Sequence, residues 1–509
     1  MNFFKAFFAT SGGTLLSKIS GFVRDIFIAK YLGSGFFSDV FFMAFKIPNF
    51  FRKITAEGAM SSAFIPMFSN GVNVYGRKRM TYFARNIFSI LLYALLFFVI
   101  FAELFMPQFV SLFAFGYQNE KLKFTILLTK ISFPYLIFIS LVALMTGILN
   151  TFGKFFMTAA LPLVMNLTIV AFIIMGTKLN QNSISILASF GVLFAGLFQF
   201  VLIYFFTIKE KIYLFPIKPH FSYQTKRFFK NFLHTFLASG VVQINSLVSS
   251  MIATVIPGAV SLLYYSDRIS QLPLSLIGTA ISVSVLPSLS KALGKKDRDE
   301  SQLLQETSFF FALFLGIPIA VALFILSTPI TALIFERGQF STIDTVNVAS
   351  IIRIYSMAIP FYILSKILEA IFYAQKDTVT PYRIALLNLL LNIVFSAIFI
   401  VLFETKGIAM ASVLTSVFCT FLFFIKLIKK RMFVITDNIY LKFLKIIYIA
   451  ILTGLIMFLV GMLMERLRLN DFWNIFFTGG IGASFYLVAS QLLGVVNILE
   501  LLIFLRKKR

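Results

Sequence analysis

Eight charged side chains lie within one strongly apolar stretch, residues 17–69: Lys18, Arg24, Asp25, Asp39, Lys46, Arg52, Lys53 and Glu57. In hydrocarbon each would cost roughly 3 kcal/mol unless it paired with another charge or faced water. A set of this kind points to a polar chamber for an ionic cargo, and the surplus of Lys and Arg over Asp and Glu points to an anion. On a helix, Ser17, Gly21, Arg24 and Asp25 fall at i, i+4, i+7 and i+8 and share one face. Lys46, Asn49 and Lys53 form a second stripe, with Arg52 beside it and Pro48 expected to bend the helix. Farther along, Tyr264, Asp267, Arg268 and Gln271 repeat the pattern just before Pro273. Arginine suits a phosphate because its planar fork donates two hydrogen bonds and stays protonated when partly dehydrated. Arg24, Arg52 and Arg268, on three helices, can therefore hold a diphosphate. The plainer reading is that Arg24 pairs with Asp25 or Asp39, Lys53 with Glu57, and Asp267 with Arg268, only gluing helices together. For the four acids the expected role is to orient these partners.

Positioning such groups takes membrane helices. Of 509 residues, 59% are hydrophobic and 13% charged, with a mean hydropathy of +0.93, far from the balance of a soluble domain. Windows free of Asp, Glu, Lys and Arg cover 131–153, 155–177, 179–208, 235–266, 269–290 and 307–335. Each exceeds the ~20 residues that span the hydrocarbon. Period-2 alternation is absent, which argues against a membrane barrel. The fold class expected is all-α: a polytopic protein with 14 transmembrane helices near 4–30, 36–68, 82–112, 122–150, 156–177, 185–208, 228–256, 259–291, 302–334, 346–374, 380–403, 408–428, 439–464 and 474–503. The N-terminus has some signal-peptide character, but no A-x-A site follows, and it reads as the start of a retained helix.

The halves repeat. An offset of 221 or 222 residues brings Ala59 onto Ala280, Pro66 onto Pro287, Ser69 onto Ser290, Pro107 onto Pro329, Lys154 onto Lys376, Thr158 onto Thr380 and Asn166 onto Asn388. The expected organisation is two six-helix lobes, 1–215 and 216–430, related by a pseudo-twofold axis along the membrane normal, followed by two further helices in 431–509. Sites in transporters of this kind lie between halves near the midplane. Cationic loops alternate with cation-poor ones, which puts both termini in the cytoplasm and accounts for most of the +25 net charge. Lys130, Arg353 and Lys366 read as snorkelling cations, and Glu103 and Glu369 find no role.

Several classes drop out. No H-E-x-x-H, no G-x-x-x-x-G-K-[ST] and no Cys/His cluster occurs, so ATP hydrolysis by this chain is not expected. No basic soluble domain exists to hold nucleic acid. Cys419 is the only cysteine, which excludes an internal disulfide.

The segments SKISGFVRD, SDVFFMAFKIPNFFRKITAEGAMSSAFIP and YYSDRISQLPLSLIGTAISVSVLPSLS resemble the MurJ (MviN) family of lipid II flippases, within the multidrug/oligosaccharidyl-lipid/polysaccharide exporter superfamily. LNTFGKFFMTAALPLVMNL and FERGQFS extend the resemblance over nearly the whole chain. It implies a transporter rather than an enzyme, in the bacterial cytoplasmic membrane. The cargo implied is undecaprenyl-diphosphate-linked disaccharide-pentapeptide, carried to the outer leaflet for cell-wall synthesis. The family's cavity residues map onto Arg24, Asp39, Arg52 and Arg268, with Ser17, Asp25 and Glu57 nearby; Lys18 stands where the family often has arginine. The two last helices would form the groove for the lipid tail. Some members bind sodium through acids on helices 7 and 11. This chain has none in either, only Asn245, Asn388 and Asn392.

From the residues and the resemblance together, the candidate substrate site is Arg24, Arg52, Arg268, Asp39, Ser17, Lys18, Asp25, Lys46, Asn49, Lys53, Glu57, Asp267 and Gln271. No metal or cofactor is expected, and transport would draw on the membrane potential or a monovalent cation. The expected partners are the lipid-linked precursor, membrane lipids and cell-wall synthesis proteins, with the chain itself a monomer. The rivals are a flippase for another polyprenyl-diphosphate oligosaccharide and a drug/cation antiporter of the same fold; the antiporter would want buried acids rather than this excess of arginine.

Overall fold

The computed structural model describes residues 3–295, 297–430 and 437–496. Among them every regular element is a helix. In chain order these are α1 (Phe3–Leu32), α2 (Phe36–Arg52), α3 (Ser61–Leu104), α4 (Met106–Phe113), α5 (Asn119–Ser132), α6 (Tyr135–Thr151), α7 (Phe155–Met175) and α8 (Gln181–Lys209). They continue as α9 (Tyr223–Ala253), α10 (Ala259–Pro273), α11 (Thr279–Gly294), α12 (Arg298–Phe335), α13 (Thr342–Ala374), α14 (Val379–Lys429), α15 (Asp437–Arg466) and α16 (Asp471–Leu492). Helix is the expected answer here, because in lipid every backbone donor and acceptor must be satisfied within the segment.

Two of these helices are each two spans. α3 breaks at Gly76, whose φ of 78° suits a residue without Cβ, and α14 breaks at Glu404 with φ 51°. With α2 continuing into the first part of α3, and α4, α6 and α11 extending their predecessors, the described residues form fourteen stretches near the expected places, except that the last helix ends at Leu492 rather than 503, and residues 497–503 of that expected span lie outside the described residues. Nine helices among the described residues are long and apolar enough to cross a membrane by composition alone. α1, α2 and α10 are not among them. α2 and α10 have only 17 and 15 residues before their π-helical turns, short of the ~20 that span the hydrocarbon, and these helices also carry the polar stripes.

The repeat has a structural counterpart. α2 widens into a π-helix over Lys53–Met60, and α10 does the same over Leu274–Gly278, starting 221 residues later. Both follow a proline inside the helix, Pro48 and Pro273, which cannot donate its backbone hydrogen bond. The expected bend at Pro48 thus takes the form of a widened turn just after Arg52, of the kind frequently found at functional sites.

By packing, the chain divides into two compact units, Met1–Ser261 with Arg337–Ser341, and Leu262–Glu336 with Thr342–Arg509. This division differs from boundaries at 215 and 430, and the side chains explain why. The connecting segment 210–222 is strapped to α3: Asn86 Nδ2 donates to His220 O at 2.6 Å and His220 N donates to Asn86 Oδ1 at 2.7 Å. Ile217 N donates to Ser89 Oγ, and Arg85 lies 4.0 Å over the Phe215 ring while donating to Tyr213 O. Phe228, at the start of α9, then stacks edge-on against Phe64 and Phe83 of α3. The first helix after the connection is therefore held by the N-terminal unit.

Candidate functional site

In the N-terminal unit the charged residues gather into two knots. The first joins α1 to α7, which lie close enough that a Cβ on Gly13 would come within 2.9 Å of Ala159. Arg24, 5% exposed, donates from Nε and Nη2 to Asp25 Oδ1 at 3.0 and 2.7 Å, and from Nη1 to Asn166 Oδ1 at 3.1 Å. Asn166 in turn donates to Ser17 O and Ser20 Oγ, while Ser17 Oγ donates to Ala159 O at 2.9 Å. The Phe45 ring of α2 faces the guanidinium at 5.8 Å. Of the two acids weighed as partners for Arg24, Asp25 is the one it binds. A guanidinium so engaged is a built structural joint in this conformation.

The second knot is built on Asp39, which is fully buried. Its Oδ2 accepts from Lys121 Nζ at 2.7 Å and from Gly258 N at 2.8 Å, and its Oδ1 accepts from Ser261 N at 2.8 Å. The carboxylate thus caps the first turn of α10, where the helix dipole favours a negative charge. Ser261 Oγ accepts from Gly35 N, so the start of α2 and the start of α10 are tied twice. The same end of the unit is closed by Gln339 N donating to Lys30 O and by Gly116 N donating to Thr254 Oγ1. At Gly33 and Gly338, both with positive φ, a Cβ would strike Gln339 O or Lys30 O. Lys121 was not legible from spacing.

Lower on α2 the cations are less enclosed. Lys46, Asn49, Arg52 and Lys53 are all half-buried. Lys46 Nζ donates to Ser250 Oγ of α9, and Arg52 Nε donates to Asn49 Oδ1 at 2.7 Å. Lys18 is half-buried on α1. The side chain of Glu57 lies outside the described residues, and with it the expected Lys53–Glu57 pair.

In the second unit, Asp267 and Gln271 are exposed and Arg268 half-buried on α10. Gln271 Nε2 donates to Asp267 Oδ2 at 2.5 Å. Asp267 also lies near enough to bear electrostatically on Tyr355 and Tyr362 of α13, a pair that helix periodicity alone did not single out. Glu369 finds a partner in Lys366 at 2.9 Å. No cluster of three His, Cys, Asp or Glu able to hold a metal occurs among the described residues. Asn392 of α14 is buried and accepts from Ser396 Oγ. A separate apolar groove of about 790 Å³ runs along α16, lined by Phe476, Phe477, Gly480, Ile481, Phe485 and Val488.

Residues 28–478 match the family model of the lipid II flippase MurJ. The chain belongs to that family. It is 37% identical over 418 residues to a probable lipid II flippase MurJ of Rhizobium meliloti (strain 1021), covering 81% of this chain and 78% of the relative. A probable lipid II flippase MurJ of Buchnera aphidicola subsp. Schizaphis graminum (strain Sg) is 30% identical over 97% of this chain and 98% of its own. Among solved structures, a lipid II flippase MurJ in an inward closed conformation aligns with TM-score 0.80 and 31% identity, over 95% of this chain and 98% of that one. A multidrug resistance MATE transporter of the MOP superfamily, inward-facing, aligns with TM-score 0.68 at 12% identity over 82% and 94%, a likeness of fold alone. A member of this flippase family is a membrane transporter of the cell-wall pathway and not an enzyme.

Proposed function

We propose that this chain carries undecaprenyl-diphosphate-linked disaccharide-pentapeptide across the cytoplasmic membrane by alternating access, rocking residues 1–215 against 216–430. The observation that supports the binding reading most is the contrast in enclosure: Arg52, Lys46, Lys53 and Arg268 stay half-exposed in helices of membrane length, while Asp39 and Arg24 are sealed. The exposed cations receive the diphosphate. Asp267 and Gln271 set the pose of Arg268, and Asn49 sets that of Arg52. Arg24 joins when Asp25 and Asn166 release it, with Ser17 and Lys18 next to it on α1. The polyprenyl tail stays in lipid along residues 431–509, for which the apolar groove on α16 offers a surface.

Both termini lie in the cytoplasm on the alternation of cationic loops, so the Asp39 knot stands at the outer end. Holding that end shut while the cargo loads from inside is the work of Asp39, Lys121 and the first turn of α10. The driving force is the membrane potential or a monovalent cation. Neutral amides at 388 and 392 of α14 favour the potential, since they offer a cation no fixed negative charge.

The test is depletion of the protein in its own cell, followed by an enzyme that cleaves only outer-leaflet precursor. Protected precursor should accumulate, and wild type should restore exposure while Arg52→Ala and Arg268→Ala at equal membrane levels should not. Restoration by both variants would remove the diphosphate role from these arginines.

A further inference from the structure

Arg353 sits on α13 without an acid. Its Nε donates to Ser327 Oγ and its Nη2 to Thr328 Oγ1, both at 2.9 Å and both on α12. Among the described residues no carboxylate comes within ion-pair distance of it, and Nη1 has no protein partner. An intramembrane arginine tied only to neutral hydroxyls keeps its full positive charge to offer.

The face it occupies says to what. On α13 the helical repeat puts Val346, Ser350, Arg353 and Met357 on one side, and Tyr355, Tyr362, Lys366 and Glu369 on the other. The second side is the one toward Asp267. The first carries Val346 and Met357 at 56% and 59% exposure, and Phe324, on the same side of α12 as Thr328, is 46% exposed. Large apolar side chains exposed along a membrane span face acyl chains, so Arg353 lies at a lipid-facing seam between α12 and α13.

Its height fits a headgroup. α13 has 33 residues, about 50 Å, against a hydrocarbon core of about 30 Å, leaving roughly 10 Å beyond the core at each end. Arg353 comes eleven residues after Thr342, about 16 Å in, just below the boundary and within reach of the phosphate layer. A freely snorkelling arginine would extend toward water. This one is bound across to the neighbouring helix, with Ser327 fully buried, so its fork is oriented in advance.

We infer that Arg353, Ser327 and Thr328 form a binding site for the phosphate of an anionic phospholipid, separate from the transport site. The topology proposed above assigns it to the outer leaflet; the site itself does not depend on that assignment. Nη1 donates to a phosphate oxygen, the guanidinium neutralises the headgroup, and the acyl chains lie against Phe324, Val346 and Met357.

The experiment is native mass spectrometry of the full-length protein titrated with phosphatidylglycerol in a phosphatidylcholine background. Wild type should retain one phosphatidylglycerol more than Arg353→Gln, with about a tenfold loss of affinity on removing a charge-assisted contact. Phosphatidylcholine binding should not change, and excess inorganic phosphate should not displace the lipid. Equal retention by wild type and Arg353→Gln overturns the site, and displacement by inorganic phosphate overturns its lipid specificity. Should Arg353→Gln fail to fold, Ser327→Ala/Thr328→Ala keeps the charge but frees the fork; it should weaken phosphatidylglycerol binding, and unchanged binding again overturns the inference.

Discussion

Two sets of the same residue types, Arg24 with Asp39 in the first unit and Arg268 with Asp267 in the second, are held in opposite ways. In the N-terminal unit, Asp39 and Arg24 are buried and each is met by three hydrogen-bonding contacts from the protein. In the second, Asp267 is exposed and Arg268 half-buried on one short helix before a π-helical turn. A buried charge pair costs several kcal/mol in lost hydration, which good geometry offsets; breaking such a pair is then expensive, whereas an exposed pair contributes little. Asp39 and Arg24 are committed to holding a conformation, whereas Asp267 and Arg268, like Lys46, Arg52 and Lys53 in the first unit, keep part of their surface open.

The sharpest way to break that contrast is to remove one charge from each. Arg268→Ala should abolish precursor exposure on the outer leaflet while lowering the melting temperature of the purified protein much less than a change at Asp39 does. Asp39→Ala should lower stability by about 3–5 kcal/mol, because Lys121 Nζ and the amides of Gly258 and Ser261 lose their acceptor together. Thermal unfolding of both variants beside the leaflet assay checks this. Equal destabilisation by the two substitutions would erase the distinction between holding and binding.

A smaller effect is expected at Asn86, 2% exposed, whose amide pairs with both backbone groups of His220 and reaches Thr225 Oγ1 at 3.0 Å. Asn86→Ala should cost about 1–3 kcal/mol and release 210–222, because buried backbone groups lose their partners. Protease cleavage within 210–222 reads this directly: the variant should be cut faster than wild type, while Arg268→Ala should not. Unchanged cleavage would mean that the segment is held by Arg85 and Ser89 alone.

Most of the architecture was legible because lipid leaves little choice. Charge-free windows gave the spans, and the 221-residue offset predicted a repeat that reappears as two matched π-helices. The polar stripes were also legible, since intramembrane charges are rare. What sequence could not supply was the difference between Arg24 and Arg268, which look alike in their motifs. That difference depends on Asn166, 142 residues from Arg24, and Asp39's state depends on Lys121 and on amides beyond residue 257. Backbone donors have no signature in a sequence. The unit boundary at 261 was hidden for the same reason, resting on Asn86 and Phe228 contacts that no local pattern encodes.

The smallest effect comes from an ion pair at the surface, Lys430 Nζ to Asp377 Oδ2 at 2.5 Å, in the turn between α13 and α14. Partial burial alone would raise the Asp377 carboxyl. Hydrogen bonds from Lys430, from Thr380 N and from Thr380 Oγ1 outweigh it and hold the group well below the usual carboxylate range. A carboxyl whose folded pKa is depressed contributes stability above its unfolded value, near 4, and loses that contribution as pH falls toward the folded one. Asp377→Asn should therefore lower stability by a constant amount from pH 8 to about pH 5, roughly 0.2–1 kcal/mol for a solvent-screened pair. Below about pH 4 the gap to wild type should begin to close. Melting temperatures of the two proteins across that range decide it. A gap as large as that of Asp39→Ala, or one that widens in acid, would mean that this exposed pair holds the fold as the buried one does.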